Sequence, residues 1–373
     1  MSRIILLGVA LLAMLLGAAA AATSQRDAAL RGVDFLRTAQ QPDGGFGGFG
    51  PGQTFDAVFA IRAAGLHPAS VTTGGKSPAD YLRAKLAEVA ASPGLAGKAA
   101  LAALALGLNP RDVDGVDLVA AAAASRDGAT GALAPDAFGH AVALLGIVCT
   151  GNPAPDGAVN FIRSSQLADG GWGFSDTGDP DTTAIVLQAL LASGVAASDD
   201  AAVAAIAFLR ATQAADAGWG FDPDASNANS TAYVIQALLA AGEDLGSAVY
   251  RVNGVSPVDF LFSLQEADGS FPGFDPVYAT NQAIPALVGR TYCNAPVTPI
   301  QAADPAPTPT PPAAPPTATP TATPTAPAPP VVAPAPPATG SGTAGGGPDG
   351  ALIAAFVALL AGTALLGAAR LKR

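Results

Sequence analysis

Phe161-Ile162-Arg163-Ser164-Ser165-Gln166-Leu167-Ala168-Asp169-Gly170-Gly171-Trp172-Gly173 is the stretch on which the fold turns. In it an aromatic ring precedes a glutamine by five residues, the glutamine precedes an aspartate by three, and a glycine-rich turn with a second aromatic follows. The same spacing recurs at Phe35, Gln40, Asp43; at Phe208, Gln213, Asp216; and at Phe260, Gln265, Asp268. Each aspartate opens a similar turn, as in Asp43-Gly44-Gly45-Phe46, Asp216-Ala217-Gly218-Trp219 and Asp268-Gly269-Ser270-Phe271. Two weaker copies fill the gap, one opening at Tyr81 and one running from Leu118 to Gly131. Six units at spacings of roughly 37 to 52 residues fall in the range of helical-repeat architectures.

Each unit has two halves. The first is amphipathic, with Ala29, Val33 and Leu36 on one face and Arg31, Asp34 and Arg37 between them, and it is expected to lie outside. The second is apolar nearly all round, as in Thr182 to Ser193 and Ser230 to Ala241, which marks a helix buried on most sides. Thr or Ser at its start suits an N-cap and the closing Gly194 or Gly242 a C-cap. Six outer and six inner helices in alternation can close into a ring, which buries the ends that an open solenoid must cap. The fold class expected is therefore all-α, an (α/α)6 toroid of six helical hairpins.

Arg31-Gly32-Val33-Asp34-Phe35-Leu36 with Gln40 and Asp43-Gly44-Gly45-Phe46, and again Asp156 to Ile162 with Gln166 and Asp169 to Trp172, resembles the QW repeat of terpenoid cyclases and protein prenyltransferases, the α/α-toroid superfamily. The resemblance covers about residues 25 to 295. It implies that Gln and aromatic brace one outer helix against the next turn, so that Trp172 and Trp219 are structural.

The resemblance also implies chemistry to be tested. Squalene-hopene cyclases and their relatives protonate substrate with the middle Asp of a D-x-D-D-T-A motif on an inner helix. Asp179-Pro180-Asp181-Thr182-Thr183-Ala184 is similar, with Thr182 in place of the last Asp, and makes Asp181 the candidate general acid if the chain is an enzyme. A buried carboxyl of raised pKa is what that work needs. The matching frame Asn227-Ala228-Asn229-Ser230-Thr231-Ala232 carries no acid, so the frame itself reads as a helix start, where the dipole favours a carboxylate. Those cyclases place their site between two helical domains, and this chain has one. Protein prenyltransferases hold zinc through a D-x-C pair, which does not occur here, and two His and two Cys are too few for a closed zinc site without carboxylates. No metal and no cofactor are expected. Cobalamin carriers join a similar toroid to a β domain that this chain lacks.

Aligning the inner helices by their closing Gly puts Thr54, His140, Thr183, Thr231 and Thr280 at one level, with Asp56, Tyr233 and Gln282 two residues further on. With Asp179 and Asp181 these are the candidate ligand-binding residues of a central funnel, polar groups over an apolar wall. The competing reading makes the threonines caps and fills the funnel with side chains. Cys149 and Cys293 fall near the ends of the third and sixth inner helices. Export allows a disulfide between them, whereas an evenly closed ring sets them opposite one another and apart; both readings stand.

Beyond the body the sequence changes character. Ser2-Arg3, an uncharged run over Ile4 to Ala22 and small residues at its close read as a signal peptide, 1-22, against the rival of an uncleaved anchor. The body spans 23-303. A Pro/Thr/Ala-rich then Gly-rich linker, 304-349, holds nearly half of the 33 prolines and is expected to be a disordered stalk favouring polyproline II. An uncharged run over 350-369 has the length of a transmembrane helix, and the basic tail 370-373 places the C-terminus in the cytoplasm and the body outside. The layout from Pro336 to the tail resembles a sortase sorting signal without its leading Leu, so the expectation is a single-pass cell-membrane protein, with wall attachment the lesser reading.

A net charge of -11, from 18 Lys and Arg against 29 Asp and Glu, excludes a nucleic-acid binder. The leading expectation is a membrane-anchored extracytoplasmic module that binds an isoprenoid, a corrinoid or another hydrophobic small molecule, or a protein partner. The alternatives are a terpenoid cyclase-like or prenyltransferase-like enzyme using Asp181, and a structural surface protein.

Overall fold

A computed structural model describes residues 24–222 and 225–300, and among them the regular structure is helical, with isolated bridges and no strand ladder. The expected signal peptide, stalk, transmembrane span and basic tail lie outside the described residues. No helix among the described residues is long and apolar enough to cross a membrane.

Helices alternate between two layers. The outer layer is α1 (24–39), α3 (Pro78–Ala84) with α4 (Leu86–Ala90), α6 (Leu118–Ala123), α8 (Ala158–Ser164), α10 (Asp200–Ala211) and α12 (Pro257–Ser263). The inner layer is α2 (Pro51–Ala63), α5 (Pro93–Ala105), α7 (Ala137–Val148), α9 (Pro180–Ala192), α11 (Ala228–Ala240) and α13 (Pro276–Leu287). Each inner helix packs on the next and α13 packs on α2, so the ring closes. The inner helices are buried almost all round, whereas α10 buries one stripe, Ala202, Ala205, Ile206 and Leu209. That contrast is the one their apolar periodicity demands.

The repeat motif explains how the layers are fastened. Gln166 Nε2 donates to the Gly170 carbonyl at 2.8 Å and to the Ala201 carbonyl, at the start of the next outer helix, at 2.9 Å. Gln213 does the same to Ala217 and Tyr250, and Gln40 to Gly44 and Val71. Gln265 donates to Gly269 and, across the seam, to Ala28 of α1 at 2.8 Å, which ties the last unit to the first. The indole N–H groups of Trp172 and Trp219 donate to the Ile162 and Leu209 carbonyls at 2.9 and 2.7 Å, and both rings are fully buried.

The caps differ in detail from expectation. Asp179 and Asn227, not Thr or Ser, accept the third-residue amides of α9 and α11, and Asp136 and Asp275 do so for α7 and α13. A short acid or amide just outside the helix reaches that amide from extended backbone. The threonines sit a turn further in. The closing glycines, Gly194 and Gly242 among them, do take positive φ, as a left-handed C-cap requires.

After α13 the chain does not leave at the rim. It crosses the C-terminal mouth as a strap: Tyr292 N–H donates to Gln188 Oε1 of α9 at 2.8 Å, and a 3-10 turn, Ala295–Val297, packs on α2 and α5. Cys293 rides on this strap and is bonded to Cys149 at the end of α7, with Cα atoms 5.2 Å apart. The separation expected for opposed helix ends is bridged because Cys293 belongs to the strap rather than to α13. The α13–α2 contact, the Gln265–Ala28 bond and the disulfide that close the ring all lie within the described residues 24–300.

Candidate functional site

The five residues at the upper level do lie together in the ring and are fully buried, but their polar atoms hold the backbone. Thr54, Thr183, Thr231 and Thr280 accept through Oγ1 the amide N–H groups of Phe46, Trp172, Trp219 and Phe271 at 2.9, 2.9, 2.9 and 3.0 Å. Each fastens its repeat turn to its inner helix. In the third unit His140 takes over the task, accepting the Leu133 amide on Nδ1 at 2.9 Å. Its Nε2 lies 3.1 Å from the Ala158 carbonyl, which can only accept, so the ring is neutral with its proton on Nε2. Burial pushes its pKa down to about 4, against the opposing pull of that carbonyl.

One level deeper, Asp56, Tyr233 and Gln282 meet on the axis. Gln282 Nε2 donates to Tyr233 Oη at 2.6 Å, and Asn229 Nδ2 donates to Gln282 Oε1 at 3.0 Å. Asp56 has both carboxylate oxygens 2.9 Å from Lys98 Nζ, and both side chains are 5% exposed. Burial raises the Asp56 pKa and the Lys98 ammonium opposes that rise. The funnel expected on the axis is filled: Phe59, Tyr233 and Tyr292 leave with Asp56, Asn281 and Gln236 a cavity of about 10 Å³, room for one water.

Asp179 and Asp181 stand at the start of α9. Asp179 Oδ1 caps the helix through the Thr182 amide at 2.7 Å, while Asp179 Oδ2 and Asp181 Oδ1 are buried without a partner. Burial raises the Asp179 carboxyl to about 6; burial and then the neighbouring Asp179 charge raise Asp181 to about 7. Neither is among the lining residues of the axial cavity or of the two larger hollows at the helix ends. Among the described residues no cluster of His, Cys, Asp and Glu is suited to a metal ion.

A roomy, largely apolar site lies at the mouth, between the starts of α5 and α7. It is a groove of about 520 Å³ walled by Leu95, Leu133, Phe138, Val142 and Phe174, with Lys98 among its lining. The groove opens where the repeat is weakest. Leu133 stands where the strong units have Trp172 and Trp219, as its amide bond to His140 shows, and α6 is only six residues long. Glycines on both helices let the backbones meet beside it: a Cβ on Gly94 would lie 3.4 Å from the Gly139 carbonyl oxygen, and one on Gly146 only 2.1 Å from the Gly97 Cα. A second hollow, of about 600 Å³, lies among the opposite helix ends and is lined by Arg26, Glu243, Arg251, Asp259 and Arg290, a mixture of charges.

Lys98 was not singled out from the sequence. The signal was there, since it is the only charge in the thirteen residues of α5. Its partner Asp56 comes from another unit, and no spacing links the two.

Residues 133–287 match the family described as squalene-hopene cyclase C-terminal domain, a segment that contains α7 to α13 and both Asp179 and Asp181. Among solved structures the chain is similar to a protein from Actinoplanes, with a TM-score of 0.52 and 16% identity over 71% of this chain and 99% of that one. It is also matched to ent-copalyl diphosphate synthase from Streptomyces platensis, with a TM-score of 0.42 and 18% identity over 63% of this chain and 50% of that one. No curated protein sequence matches. Over residues 133–287 the chain is thus similar to the squalene-hopene cyclase C-terminal domain.

Proposed function

We propose that the chain is an extracytoplasmic α/α-toroid module, held at the membrane by its C-terminal apolar run, that binds a hydrophobic small molecule in the groove between α5 and α7. The observation that carries this reading is the groove itself, about 520 Å³ with walls of Leu95, Leu133, Phe138, Val142 and Phe174. That size and composition suit a small apolar ligand. The filled axis moves the site from the centre of the ring to its mouth. The Cys149–Cys293 disulfide supports a position outside the cytoplasm, where such bonds persist. Native mass spectrometry of the body, residues 24–300, after exposure to membrane lipid, terpenoid and corrinoid mixtures tests the reading. A retained apolar ligand is the expected result, and a bare protein in every mixture would remove its basis.

A terpenoid cyclase-like enzyme is the second reading. It is favoured by Asp181, whose carboxyl stands at about 7 with one oxygen unpartnered, so that it keeps a proton near neutrality in the position of the acid that the motif implies. Against it, Asp181 lines neither the mouth groove, the second hollow nor the axial cavity. Incubation with linear isoprenoids, analysed for cyclic products, decides: a product lost in Asp181→Asn supports this reading, and recovery of unchanged substrate rejects it.

A further inference from the structure

Lys98 lines the mouth groove and at the same time closes the ion pair with Asp56 behind it. An ammonium has three N–H donors. The two oxygens of Asp56, each at 2.9 Å, take two of them, and among the described residues no other acceptor meets Nζ. The groove therefore has apolar walls and a single charged donor group among its lining, at a site where the buried pair as a whole is neutral. Two further carboxylates, Asp127 and Asp136, line the same groove, and both already accept backbone amides: Asp127 those of Ala129 and Thr130, Asp136 that of Gly139.

We infer that the groove takes an apolar molecule carrying an uncharged hydrogen-bond acceptor, a hydroxyl or a carbonyl, placed against Lys98 Nζ. This rests on the groove reading above and names the ligand's polar end. An anionic head would share the groove with the Asp127 and Asp136 carboxylates and would find the Lys98 charge already balanced by Asp56. A cationic head would meet Lys98 itself. A hydrocarbon would leave the third N–H without an acceptor and shield it from water, which is the unfavourable case for a buried charged donor.

Displacement of a fluorescent apolar dye from the 24–300 body by farnesol, farnesene and farnesoate tests the inference on the unaltered protein. Farnesol is expected to bind at least about 10-fold more tightly than either of the others, the size of effect a hydrogen bond to a charged donor gives. Equal binding of farnesol and farnesene, or preference for farnesoate, overturns it. Lys98→Met alone strands a buried carboxylate, so the informative variant is Lys98→Met with Asp56→Leu, which removes both charges and keeps the volume. It is expected to bind farnesene as before and to lose the preference for farnesol; a preference that survives contradicts the assignment to Lys98. If none of the three probes displaces the dye, the groove reading fails and takes the inference with it. If all three bind alike, the groove reading stands and the inference alone fails.

Discussion

His140 is a histidine in a place where four other units use threonine, and the substitution has a consequence that pH can read. Its pKa is about 4 in the folded chain against an ordinary 6.5, because burial disfavours the charged ring. The contribution is present above 6.5 and is lost as pH falls through 4, by up to about 3 kcal/mol over that window. His140→Thr restores the atom that accepts the amide in the other units but removes the titration. Denaturant unfolding at pH 7 and pH 4 should show the variant less weakened by acid than the parent; an equal loss in both would show that His140 is not the group responsible. Asp181 acts in the opposite sense. With its carboxyl raised to about 7, stability is fully present below the ordinary value of 3.8 and falls as pH rises through 7. Asp181→Asn is therefore expected to flatten the decline between pH 4 and 7, and an unchanged slope would contradict the raised value. At this scale the sequence was only half legible. The level of Thr54, His140, Thr183, Thr231 and Thr280 could be read by alignment, but not that backbone amides occupy them, because the amide donors lie seven to twelve residues away across a turn.

Elements are held by two devices, the glutamine brace and the glycine contact. Gln213 gives two hydrogen bonds to the Ala217 and Tyr250 carbonyls from one half-buried amide. Gln213→Ala should lower stability by about 2 kcal/mol, two ordinary hydrogen bonds, measured as the shift in urea midpoint at constant slope; no shift would mean that water replaces the brace at no loss. The α5–α7 contact tolerates less. A methyl on Gly146 would sit 2.1 Å from the Gly97 Cα, backbone that cannot turn aside. Gly146→Ala is expected to cost about 2–3 kcal/mol by overpacking, and a neutral result would contradict the close approach. The brace was readable from the repeated Gln and aromatic, since a motif kept at fixed spacing through four units has one geometry to satisfy. The glycine contact was not, because Gly97 and Gly146 come from units that match the repeat poorly, and only the folded ring sets them face to face.

At the scale of the whole body, the described residues form a closed ring with one end crossed by the strap. Closure was legible, since six alternating units have no edge left to cap, and Gln265 bonded to Ala28 is the seam that alternation implies. The strap was not. Residues after α13 carry no repeat, and nothing in their composition says that Tyr292 turns inward onto the axis. Its position explains the pairing of Cys149 with Cys293, 144 residues apart. Replacing both by serine should destabilise the body by about 2–5 kcal/mol, the range for a crosslink that closes a long loop; a thermal melt unchanged by the double variant or by reductant would show that the strap holds without it. With the axis filled and the strap in place, the mouth groove is what the ring offers an apolar guest, and it lies where the repeat pattern lapses. The direct test is an equilibrium titration of the 24–300 body with farnesol beside a Leu95→Trp variant, in which a large ring is placed on the groove wall at a half-buried position. Saturable one-to-one binding by the parent, weakened at least about 10-fold in the variant with an unchanged melting temperature, is the result expected of a site of this size. No saturable binding, or equal binding by both proteins, would contradict the groove as the binding site.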